Sequence, residues 1–145
     1  MAVSQIVWNA AKSLSGSAPS PIADGSTDSW SVETDLSADA DEITQAAVQV
    51  EFSISSPTIG LVNWYIADSS DTGLRTGGQN EPATLQRIGD VPINGNVASY
   101  TTRFMSLNYV GGVWPPNFIL HCENQSGSTL TIVTARYRTA YLDTT

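Results

Sequence analysis

The 145-residue chain has the length of one domain and can bury about two-thirds of the surface its unfolded form exposes, so one core suffices. Its formal net charge is −8, and the six basic residues, Lys12, Arg75, Arg87, Arg103, Arg136 and Arg138, are scattered, which excludes the basic footprint of a nucleic-acid binder and attraction to an acidic membrane. Charged residues make up only 14%, with neutral polar residues in their place, and a lone cysteine, Cys122, excludes an intrachain disulfide.

In chain order, residues 1–27 stand apart. The apolar patch Ile6-Val7-Trp8 precedes a stretch dense in Ser, Gly, Pro and Ala, a composition unable to build its own core. The reading is an N-terminal arm over 1–27 and a β domain over 28–145. Ile6, Val7 and Trp8 anchor the arm, because an aromatic beside β-branched residues needs a partner, either as a first strand or on a neighbouring subunit. Deleting such an arm is expected to leave a folded β domain with impaired assembly. These residues lack the basic and apolar regions of a secretory signal, and no window approaches the roughly 18 apolar residues of a membrane helix, so a soluble, cytoplasmically made protein is expected.

From Trp30 a period of two sets in, with Trp30, Val32, Thr34 and Leu36 opposed by Ser31, Glu33 and Asp35. The cleanest alternation is Ala46, Val48, Val50, Phe52 and Ile54 against Ala47, Gln49, Glu51 and Ser53. Pro57 ends that strand, and Val62, Trp64 and Ile66 face inward in the next, with Asn63 and Tyr65 outward. A long polar excursion over 68–82 follows, then a short strand over 85–93 and an Asn94-Gly95 turn. Residues 97–108 shift phase, which predicts a bulge or burial on both faces. Phe118, Leu120 and Cys122 alternate, 124–127 turn, and a last strand presents Val133, Ala135, Tyr137 and Tyr141 inward with Arg136 and Arg138 outward. About seven or eight strands and almost no 3.6 period predict an all-β antiparallel sandwich of jelly-roll type, with Val48, Val50, Phe52, Val62, Trp64, Ile66 and Val133 in its core.

No residue constellation points to an enzyme. His121 and Cys122 are adjacent in a strand and so point to opposite faces; His121 reads as a surface or interface residue and Cys122 as a small core hydrophobe. One His and one Cys cannot build a zinc site, and the acidic loops with Asp39, Asp41 and Glu42, and with Asp68 and Asp71, lack the spacing of a calcium loop. Catalytic residues, cofactor and metal are therefore all expected to be absent. Asn124-Gln125-Ser126 fits a glycosylation sequon formally and reads as a turn. The aromatics are more suggestive: Trp114 sits in Gly-Gly-Val-Trp-Pro-Pro, so Trp114, Pro115 and Pro116 join Ile6, Val7 and Trp8 as candidate protein-contact residues.

At 111–120, 123–130 and Ala135-Arg136-Tyr137-Arg138, the chain resembles the small jelly-roll decoration (cement) proteins of tailed bacteriophages; the resemblance covers mainly the C-terminal third. It implies a virion structural protein on the capsid surface, bridging major capsid protein subunits as a homotrimer. A receptor- or carbohydrate-binding module of a phage tail or fibre is the alternative, with Trp114, Tyr109 and the 68–82 loop as its sugar platform.

Overall fold

The computed structural model describes residues 4–36, 43–68, 86–107 and 117–144. Eleven strands appear among them: β1 (Ser4–Trp8), β2 (Lys12–Ser13), β3 (Thr27–Ser29), β4 (Thr34–Asp35), β5 (Ile43–Ile54), β6 (Gly60–Asp68), β7 (Gln86–Ile93), β8 (Ser99–Thr101), β9 (Met105–Ser106), β10 (Asn117–Gln125) and β11 (Leu130–Thr144). They form two antiparallel sheets. The first runs β1-β11-β5-β8, with β2 also on β11 and β9 also on β5; the second runs β3-β10-β6-β7, with β4 also on β10. Since β1 and β2, β3 and β4, and β8 and β9 are broken halves of single positions, each sheet has four positions. The chain moves from the first sheet to the second and back in the order of a jelly roll.

The alternation of β5 produces this core directly. Ala46, Val48, Val50, Phe52 and Ile54 are all buried and face Val62, Trp64 and Ile66 of β6 and Phe118, Leu120 and Cys122 of β10. Phe52 binds the layers together: its ring lies 5.6 Å from that of Trp64 in the other sheet and stacks 5.4 Å from Tyr100 on β8. The phase shift expected over 97–108 is a break between β8 and β9. Thr102 fills it, its N–H donating to Val50 O and its Oγ1 accepting from Val50 N–H, while Met105 and Leu107 return to the core.

Three expectations about the strands need correction. Val133 is 55% exposed, because the β5–β11 register shifts between Ile132 and Thr134; Ile132 pairs Phe52 and Ala135 pairs Val50, leaving Val133 as the extra residue. Val32 is 47% exposed, because the strand expected from Trp30 is interrupted by a bend at 31–32; Trp30, Thr34 and Leu36 are buried as expected. The segment over 1–27 does not stand outside the sandwich where it is described. β1 pairs β11 from Ser4↔Thr144 to Trp8↔Ala140, Ile22 bridges Leu130, and Leu14 and Ile22 lie in the core. Its serines and glycines make turns between short pairings. The first-strand alternative for Trp8 is the one observed.

Candidate protein-contact surface

The first sheet's outer face, away from the core, carries an aromatic and cationic patch. Cross-strand pairing sets it up: Ile6 lies beside Leu142, Trp8 beside Ala140, Arg138 beside Ala47 and Arg136 beside Gln49. The break between β8 and β9 turns Phe104 onto the same face. The Arg138 guanidinium carbon then lies 4.3 Å from the Trp8 ring centre and 4.0 Å from that of Phe104, with Arg136 5.7 Å from Phe104. Arg136 Nε–H donates to Gln49 Oε1 at 2.8 Å, whereas the buried Nε of Arg138 has no hydrogen-bond partner. Around this stack Ile6 is 50%, Trp8 38% and Leu142 51% exposed. Two rings holding a guanidinium make a rigid surface whose remaining N–H groups suit a carboxylate or carbonyl of another chain.

Of the expected contact residues, Ile6, Val7 and Trp8 come together on β1, Val7 on the opposite face and only partly exposed. Trp114, Pro115 and Pro116 lie outside the described residues, as do Tyr109, Asp39, Asp41, Glu42, Asp71 and most of the 68–82 loop. Sequence reasoning missed Phe104 and the partnership of Arg138 with Trp8. The outward placement of Arg136 and Arg138 was legible, but which aromatics meet them depends on pairings between opposite ends of the chain.

The second sheet's outer face carries a largely buried polar cluster on β6 and β10. Asn63 Nδ2–H donates to Glu123 Oε1 at 2.8 Å, and the Tyr65 hydroxyl donates to the same oxygen at 3.2 Å. Burial, then the neighbouring Glu123 carboxylate, pushes the Tyr65 phenol up from its ordinary value, with Arg87 opposing. Asn63 Oδ1 and Ser29 Oγ are buried without partners. His121 belongs here and is fully buried, a correction to its reading as a surface or interface residue: Ile119 and Tyr65 beside it are buried too, so this part of the face is covered rather than solvated. Its Nδ1 lies 3.2 Å from Ile119 O.

Cys122 points to the other side of β10, into the core opposite Trp64, and burial followed by Glu123 and Asp28 raises its thiol well above the ordinary range. The sequon asparagine is equally inaccessible. Asn124 Nδ2 donates to Ile22 O and Ser128 O, and its Oδ1 accepts from Ser126 N–H, which pins the turn through Gly127 at φ +85°. Among the described residues, no three His, Cys, Asp or Glu side chains converge to hold a metal ion. No family model and no curated protein matches the chain.

Proposed function

We propose that this protein is a non-enzymatic structural component of a bacteriophage virion, which decorates the capsid and stabilises it by bridging major capsid protein subunits. The carrying observation is the Trp8–Arg138–Phe104 stack, flanked by exposed Ile6 and Leu142 on a sheet face. Arg, Trp and other aromatic residues such as Tyr dominate the energetics of protein interfaces, and a rigid strand-borne patch loses little entropy on docking. A jelly roll suits the role, being an architecture used in viral shells. Repetition over a symmetric shell turns a modest contact into a large total stabilisation.

Co-sedimentation of the purified protein with empty tailed-phage capsid shells tests the proposal. Binding is expected, weakened at least tenfold by Phe104→Ala and by Arg138→Ala. Absence of binding, or binding indifferent to both substitutions, overturns it.

A further inference from the structure

Among the described strands, the sheet edges are protected at every position except one. β7 carries Pro92, a register shift against β6 and the Arg87–Asp90 ion pair. β2, β3, β4, β8 and β9 are pieces of two or three residues. Each is a device that discourages pairing with another chain. β1 has none: its five residues, Ser-Gln-Ile-Val-Trp, hold no charge and no proline, and they pair β11 without a register shift.

One contact fixes the direction of its free hydrogen bonds. Asn9 N–H donates to Thr139 O at 2.9 Å, the next rung after Trp8↔Ala140. Along a strand in an antiparallel ladder, the N–H and C=O of one residue point to one side and those of the next residue to the other. Val7 and Gln5 therefore bond towards β11 with Asn9. Ser4, Ile6 and Trp8 turn their backbone groups to the open edge, where no described strand meets them.

We propose that a second copy of this chain adds its own β1 to this edge, antiparallel, about a two-fold axis at Ile6. In that register Ile6 exchanges both backbone bonds with Ile6 of the second copy, and Ser4 does so with Trp8, so every outward group of the strand is satisfied. The row formed by Leu142 and Ile6 continues into the same row of the second copy, giving four aliphatic side chains in line, each about half exposed in one copy. Each chain carries net −8, yet β1 itself is uncharged, with Arg138 against Trp8 on the outer face and Asp143 across the ladder from Gln5, so the two added strands set no like charges directly against each other. Such an isologous contact closes as a pair. It differs from the trimer implied by the resemblance and stands independently of the capsid reading.

Sedimentation equilibrium on the full chain and two variants provides the test. Ile6→Pro deletes a donor that points away from β11, so one copy keeps its ladder while the pair loses two bonds at its axis. Ile6→Lys keeps the backbone and sets two ammonium groups side by side. The expected result is a wild-type mass of two chains, with dissociation at least tenfold easier in both variants and unchanged far-UV circular dichroism. Wild-type protein that stays monomeric at its highest soluble concentration, or has the mass of three chains, overturns the inference. So does undiminished pairing in Ile6→Lys, which carries the decision if Ile6→Pro fails to fold.

Discussion

β5 and β1 belong to the same sheet, separated only by β11, yet they are held by different forces. β5 has a strand on each side and the second sheet against its inner face, and its inward side chains from Ala46 to Ile54 are at most 1% exposed. β1 has one neighbour, and its side chains are exposed or only partly buried. The centre of the sheet is therefore stabilised by apolar burial and the edge by backbone bonds and one stacked arginine. Substitutions should sort the two strands by mechanism, not merely by size of effect.

The largest effect should come from deleting residues 1–27. That removes β1, β2, β3 at its start, and Leu14 and Ile22 from the core, and exposes one side of β11. A cooperative thermal transition, followed by circular dichroism, should be lost; its survival would restore the reading of this segment as a dispensable arm. Next comes Phe52→Ala, which empties the contact between the sheets and should cost about 3–5 kcal/mol in urea unfolding. Cys122 reports the same event. Burial keeps its thiol protonated, so a disulfide reagent at mildly alkaline pH should label it only through opening, and markedly faster in the Phe52→Ala variant.

At the edge, Val7→Pro removes an inward-facing ladder donor and should cost about 1–3 kcal/mol. Measured on one copy, Ile6→Pro should stay within about 1 kcal/mol of wild type, since its donor faces outward. Equal costs at the two positions would show that the hydrogen-bond parity of β1 has been misassigned. The smallest expected effect is Trp8→Ala, at about 0.5–1 kcal/mol for a partly exposed cation–π contact. It should be visible as a modest shift in urea midpoint and a change in tryptophan fluorescence.

The same contrast explains what was legible in the sequence. Where one face of a continuous strand is fully buried, composition must alternate, so the inward residues of β5, and Val62, Trp64 and Ile66 of β6, could be read directly. Val133 could not, because one inserted residue inverts the parity of everything before it and leaves no compositional mark. Val32 failed for a related reason: a bend between β3 and β4 mimics one more step of the alternation. His121 failed because its being covered depends on what lies over the sheet rather than on β10 itself. The Trp8–Arg138–Phe104 stack was visible only as parts. An aromatic needing a partner and an outward arginine were each recognisable, but their meeting is a property of register.

The pairing of β1 and β5 with β11 also bears on how the molecule is made. A ribosome delivers the chain from its N-terminal side, so both strands emerge well before β11, their shared neighbour, has been translated. Until then β5 lacks one flank and β1 has no partner in its sheet, and no local hairpin can substitute, because both pairings span much of the chain. Closure of the first sheet must await translation of β11. Nascent chains will thus display bare strand edges until β11 has emerged, which makes the yield of native protein sensitive to translation speed and to the supply of chaperones that mask such edges.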